Sequence, residues 1–178
     1  MQKKFFPAVL IFMFTALLSQ AQTAAVSNQP PVVPTYRPMP ENKLVYGIFE
    51  GRPPCIEIAR QFKVQVGEQC IKIKWRLYLF HDKNGNPSSY HLEGSFYHEK
   101  PRVGKWILSR GTKNDPGAVV IVLDPDKSNE AFHLLKGDDN VLFILNEEKE
   151  LRVGNENFSY TLNRVKLVEH NPSELNNK

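Results

Sequence analysis

The chain has 178 residues, with 23 Lys+Arg against 19 Asp+Glu, a formal net charge of +4 and 41% hydrophobic residues. Basic and acidic residues are interleaved in most windows, and the densest basic group, Lys72, Lys74 and Arg76, follows strand alternation. A solvated sheet face accounts for that group, so no nucleic-acid partner is expected.

Lys3 and Lys4 precede an apolar run from Phe5 to Leu18, broken only by Pro7 and Thr15, and Ser19-Gln20-Ala21 supplies a small-x-small cleavage site. This is the pattern of a signal peptide over residues 1–21, cleaved after Ala21. The run falls short of the roughly 20 apolar residues that a spanning helix needs. Gln22 would head the mature chain, and it is not a cysteine that could carry lipid. The expectation is a periplasmic or secreted protein with no membrane anchor. Loss of Lys3 and Lys4 leaves 23 − 2 = 21 basic residues against 19 acidic, a net charge of +2. Residues 22–43 hold Pro30, Pro31, Pro34, Pro38 and Pro40 among polar residues and read as a flexible, partly extended leader.

Residues 44–169 form one predicted all-β domain, because turn residues punctuate stretches rich in Val, Ile, Phe, Tyr and Trp at about the 8–12-residue spacing of such folds. Residues 170–178 are a polar tail. Strands are predicted at 44–50, 71–81, 104–111, 118–123, 131–136, 141–145, near Leu151 and at 158–166. The clearest is 71–81, in which Ile71, Ile73, Trp75, Leu77 and Leu79 alternate with Lys72, Lys74 and Arg76. Asn84-Gly85 signals a two-residue type I′ turn. That turn sets Leu79 opposite Tyr90, Leu77 opposite Leu92, Trp75 opposite Gly94 and Ile73 opposite Phe96, so the apolar sets of the two strands share a face. Gly137 to Asn140 marks another tight hairpin. Strands linked this closely are antiparallel neighbours, which predicts an up-and-down barrel of eight or nine strands. One short helix, Pro54 to Val64, is expected to pack against it.

Cys55 and Cys70 are the only two cysteines. In an exported chain they are expected to close a disulfide around the short helix, stabilising the fold by roughly 3 kcal/mol. The alternatives are a reducible switch or a soft-metal site, in which two free thiolates hold copper(I) or zinc with help from a histidine. The hairpin register places Ile71 opposite His98 and so His98 beside Cys70, which makes Cys55, Cys70 and His98 the candidate ligands. His81, His91, His133 and His170 do not join them, and no His-x-His or Cys-x-x-Cys spacing is present.

No nucleophile elbow, phosphate-binding glycine loop or His-Glu-x-x-His helix occurs, so the expectation is a protein that is not an enzyme. The carboxylates of Leu123-Asp124-Pro125-Asp126 and of Gly137-Asp138-Asp139-Asn140 are read as turn chemistry. Trp75, Tyr90, Phe96 and Trp106 are candidate ligand-binding residues, since an eight-stranded barrel either fills with side chains or holds one small apolar molecule.

Several groups taken in order resemble one family. Tyr46-Gly47-Ile48-Phe49-Glu50-Gly51 running into Pro54-Cys55, then Gly104-Lys105-Trp106, Leu123-Asp124 and Phe158 to Arg164 are similar to the N-terminal domain of NlpE-type copper-resistance proteins. The resemblance spans roughly residues 44–165. It implies a small lipocalin-like barrel of the bacterial envelope, connected with copper tolerance and with signalling of envelope stress, and an envelope protein partner. Family members carry a lipid cysteine and a Cys-x-x-Cys pair after the proline. Here only Cys55 matches, Ile58 stands at the second position, and the other thiol is Cys70.

Overall fold

The computed structural model describes residues 32–35 and 44–169. The elements are β1 (Val32–Thr35), β2 (Leu44–Gly51), α1 (Cys55–Gln61), β3 (Trp75–His81), β4 (Pro87–Gly94), β5 (Tyr97–Arg110), β6 (Val119–Leu123), β7 (Phe132–Lys136), β8 (Val141–Ile144), β9 (Thr161–Arg164) and β10 (Lys166–Glu169). Strands β2 to β9 make a closed barrel in chain order, each antiparallel to the next, and β9 returns to β2 through Phe49↔Arg164 and Glu50↔Asn163. The expected class, an all-β antiparallel barrel with one short helix, is what the chain forms. Within the predicted leader, β1 runs parallel to β10, from Val32↔Lys166 to Thr35↔Glu169. The predicted signal peptide and the predicted polar tail lie outside the described residues. The predicted strand near Leu151 is a single bridge to Leu145.

The first hairpin reaches the expected register by a different route. Only Gly85 of Asn84-Gly85 is left-handed, at φ +83°, and Asp82 N donates to Asn86 O, so the loop has three residues and not two. Asp82 Oδ1 sets this turn by accepting from the Asn84 and Asn86 amides at 2.8 and 2.9 Å. The longer loop shifts the pairing to His81↔Pro87. Ser88 and Ser89 then stand opposite Phe80 alone, and this bulge restores Leu79↔Tyr90, Leu77↔Leu92 and Trp75↔Gly94.

Beyond Gly94 the expectation fails. Ile73 does not meet Phe96, because β4 stops at Gly94 (φ +111°) and the chain reverses through Ser95-Phe96, bringing Gly94 against Tyr97. A Cβ on Gly94 would collide with the carbonyl oxygen of Lys74, so only glycine admits this close approach. The stretch expected to end one strand and the separate strand 104–111 are one continuous β5. Ile71, read as core-facing, is 66% exposed, while Ile73 is buried completely.

The interior side chains of the barrel form one core that includes Phe49, Trp75, Leu77, Leu79, Tyr90, Leu92, Trp106, Ile121, Phe132 and Leu162. Helix α1 caps one end of this core. Cys55 and Ile58 are fully buried in it, and the Phe62 ring meets Trp75 at 5.9 Å and Phe132 at 5.1 Å. At the other end a bulge at Tyr46 of β2 puts that ring 5.0 Å from Trp106, and the Arg164 guanidinium lies 4.7 Å over Phe49 and 5.6 Å over Tyr46. A second cluster, Ile48, Tyr78, Phe80 and Val165, lies on the outer face of β2 and β3.

Helix α1 stops three residues before the predicted Val64. Val64 N donates to Ala59 O at 2.8 Å and Lys63 N to Arg60 O at 3.1 Å, the paired bonds of a Schellman motif. The left-handed residue of that motif is Lys63, at φ +55°, where glycine is usual. Lys63→Gly removes the Cβ strain and is expected to raise unfolding stability by about 1 kcal/mol, read from urea denaturation.

Candidate functional site at the disulfide-clipped end

Cys55 opens α1 and Cys70 lies just before β3, and the two form a disulfide with Cα atoms 5.6 Å apart. The backbone reinforces the clip, since Cys55 N donates to Ile71 O at 3.2 Å and Ile73 N to Pro53 O at 3.0 Å. The expected staple around the helix is therefore in place. Its sulfurs are bonded to each other, so neither is a thiolate free to hold a metal.

The proposed third ligand does not join them. His98 was placed beside Cys70 by extending the β3–β4 register past Gly94, but the turn at Ser95-Phe96 puts it on β5, solvent-exposed. Among the described residues no group of three His, Cys, Asp or Glu side chains is arranged to hold a metal ion. Copper therefore does not fit Cys55, Cys70 and His98 as they stand. His81 Nδ1 pairs with Asp82 O, and His91 stands opposite Tyr78 on the outer face with its ring edge-on to that tyrosine. His170 is outside the described residues.

The four candidate ligand-binding rings divide. Trp75, Tyr90 and Trp106 are only 1–2% exposed and belong to the packed core. Their polar atoms are used internally: Trp75 Nε1 donates to Ser95 O at 2.9 Å, Trp106 Nε1 to Phe80 O at 2.6 Å, and the Tyr90 hydroxyl to Asp124 Oδ2 at 2.5 Å. These three fill the interior and leave no polar handle for a ligand. Phe96 sits in the β4–β5 turn, half-buried, with its edge toward Trp75.

Tyr90 leads to a polar network that the sequence reading missed. Asp124, taken for a turn residue, is buried, and its Oδ2 also accepts from Arg102 Nη2 at 2.7 Å and Nε at 3.1 Å. The same guanidinium donates to Glu130 O at 2.7 Å and lies 5.0 Å over the Phe62 ring of the plug. Gly104 leaves room for the carboxylate, since a Cβ there would overlap Asp124 Oδ1. Burial first, and then the Asp124 carboxylate, push the Tyr90 phenol well above its ordinary value, so it stays a neutral donor. Asp124→Asn keeps the shape but strips the counter-charge from half-buried Arg102. It is expected to cost about 3 kcal/mol of stability, and less when combined with Arg102→Met, read from denaturant midpoints.

A second polar group stands on the outside of the plug. Glu57 of α1 accepts at Oε2 from the Tyr160 hydroxyl at 2.8 Å and from Arg152 Nη1 at 3.2 Å, and Arg152 Nη2 reaches Gln61 Oε1 at 2.6 Å. Burial and the Glu57 carboxylate raise the Tyr160 phenol above its ordinary value, so it too remains a donor. Glu57 divides two open clefts. One, about 300 Å³, is polar and lined by Arg60, Asn146, Glu147, Glu148 and Arg152, whereas the other, about 360 Å³, is bordered by Ile56, Ile71, Val153 and the disulfide.

Compared with protein-family models, curated proteins and solved structures, the chain matches none of them. The fold defines a disulfide-clipped, eight-stranded antiparallel barrel protein. The likeness to NlpE-type proteins rests on the residues quoted for it.

His133 on β7 keeps a buried Nδ1 without a hydrogen-bond partner, and burial first, then nearby Lys149, hold its pKa below the ordinary 6.5. Between that lowered value and 6.5 the unfolded chain binds more protons than the folded one, so stability falls as pH drops below 6.5. His133→Gln is expected to flatten this part of the pH–stability curve, measured by urea midpoints across the window.

Proposed function

We propose that the chain is an exported, non-enzymatic barrel protein of the NlpE kind, with a role in copper resistance or the envelope stress response. The ordered residue groups that resemble the family carry this reading, and they fall on β2 and the start of α1, on β5, on the end of β6 and on β9. The barrel is the fold that the resemblance implies. The disulfide suits an oxidising compartment. A direct copper role would require reduction of Cys55 and Cys70 first, because copper(I) is bound by thiolates. The carrier reading, for a small apolar molecule, draws no support from Trp75, Tyr90 and Trp106, which pack the core.

Deleting the gene in the source bacterium tests the role. Survival under added copper, or under agents that disturb the envelope, is expected to fall and to return with the wild-type gene; unchanged survival under both would retire the proposal. Thiol titration of protein purified without reductant is expected to find no free thiol. If the reduced protein then takes copper(I) no more tightly than the Cys55→Ser, Cys70→Ser variant, the metal-binding form is lost while the stress role stands.

A further inference from the structure

We propose that the two clefts flanking Glu57 form one docking groove for an extended segment of a partner protein. An apolar side chain of that segment seats against Ile56, Ile71 and Val153, and a neighbouring lysine or arginine turns toward Glu57, Glu147 and Glu148. The inference rests on the envelope-stress reading of the proposed function, to which it adds a protein partner, and does not depend on copper.

The apolar half rests on exposure. Ile56, Ile71 and Val153 are 40, 66 and 90% exposed, and all three border the same cleft of about 360 Å³, whose wall is the Cys55–Cys70 disulfide. Single exposed aliphatic residues need no explanation, but three around one concavity mark an interaction site. Nothing in the barrel fold requires them to be apolar. Each leaves the core on a loop or on the outward face of α1, where a polar residue would serve the fold equally well.

The polar half rests on charge. Arg152 lies across the boundary of the clefts, but its guanidinium is taken up by Glu57, Gln61 and Leu145 O. Arg60 is then the one cation lining the polar cleft to set against Glu147 and Glu148. Both bonds that hold Glu57 in place fall on Oε2, so Oε1 keeps its acceptor capacity at the junction of the two clefts. A carboxylate held at one oxygen presents the other at a fixed position, and that favours a charge-assisted bond from an incoming cation.

The shape decides between kinds of occupant. Both clefts are open and lie side by side, sharing Glu57, whereas a small-molecule site encloses most of its ligand. An extended segment can put one side chain in each. A second copy joined through this same groove is the poorer fit, because its lining of three glutamates against two arginines carries a net negative charge that a two-fold axis would set against its own image.

The test uses the oxidised mature chain and two fluorescent heptapeptides, one alternating isoleucine or valine with lysine, the other with glutamate in the lysine positions. Fluorescence anisotropy at low salt is expected to give a Kd for the lysine peptide about tenfold below that for the glutamate peptide. Ile71→Ser with Val153→Ser is expected to weaken the lysine peptide about tenfold, and Glu147→Lys with Glu148→Lys to weaken it and strengthen the glutamate peptide. All four positions are exposed, so circular dichroism and the unfolding midpoint should match wild type. Equal binding of the two peptides, no binding of the lysine peptide up to about 1 mM, or indifference to both double variants overturns the groove. A dimer in sedimentation that Ile71→Ser dissolves also overturns it and assigns the surface to a second copy. Failure here with a stress phenotype intact retires the groove alone; binding without a phenotype retires the physiological role alone.

Discussion

An eight-stranded barrel closes its sheet but not its ends, and everything else in this molecule follows from keeping water out of an interior lined by Trp75, Leu77, Leu79, Trp106 and Phe132. One end is closed by α1, which is too short to be a stable helix by itself. It is held there by burial of Ile58, by Phe62 packed on Trp75 and Phe132, and by the disulfide at its first residue. At the other end no helix lies among the described residues. A bulge at Tyr46 turns that ring over Trp106, and Arg164 spreads across Tyr46 and Phe49 while donating to Tyr46 O at 2.8 Å. A guanidinium suits the position because its flat face covers apolar surface while its N–H groups reach carbonyls and solvent at the rim.

The Tyr90–Asp124–Arg102 network belongs to the same problem. Residues 98–101 stand out of the β4–β5 ladder between Gly94↔Tyr97 and Leu92↔Arg102, and residues 125–130 leave the sheet after β6, so both stretches need other anchors. Asp124 anchors both by accepting from Tyr90 on β4 and Arg102 on β5, and Arg102 passes the contact to Glu130 O and to the Phe62 ring. A buried charge pair adds little net stability over apolar packing of the same volume. What it adds here is position, because only one placement of the plug satisfies the carboxylate, the phenol and the guanidinium together.

The parts of the fold that the sequence made legible are those governed by local periodicity. The alternation of 73–79 and its pairing with 90–94 follow from the requirement that two apolar faces coincide, and that requirement outlasted a wrong turn type. Asn84-Gly85 pointed to a two-residue loop; the chain uses three residues and corrects the slip with a bulge at Ser88-Ser89, because a one-residue error would turn Tyr90 and Leu92 out of the core. The same reasoning failed beyond Gly94, where alternation alone does not report that a backbone has reversed. Gly94, set opposite Trp75 by the hairpin register, was the available sign. The reversal itself depends on Lys74 O approaching within reach only of a bare Cα. The Asp124 site was invisible for a related reason: its three members come from distant segments, and Leu123-Asp124-Pro125-Asp126 looks the same in sequence whether the first carboxylate faces water or the core.

That distinction also changes the meaning of the cysteine pair. A pair suited to metal capture needs thiolates and a third donor on a neighbouring element, and the hairpin register appeared to supply His98. Once the reversal at Ser95-Phe96 carries His98 away, the pair is left with a mechanical task, joining the first turn of α1 to the entry of β3. The bond that closes the sulfurs to metal also forms a wall of the cleft bordered by Ile56, Ile71 and Val153. Reduction would break the one S–S bond and release both thiols, Cys70 half-buried and Cys55 sealed in the core. The loop of Ile71 would then be tied to α1 by the Cys55 N to Ile71 O bond alone, while Ile58 and Phe62 still pack the plug. Oxidation in this architecture therefore both stabilises the plug and fixes the surface beside Glu57 in one shape.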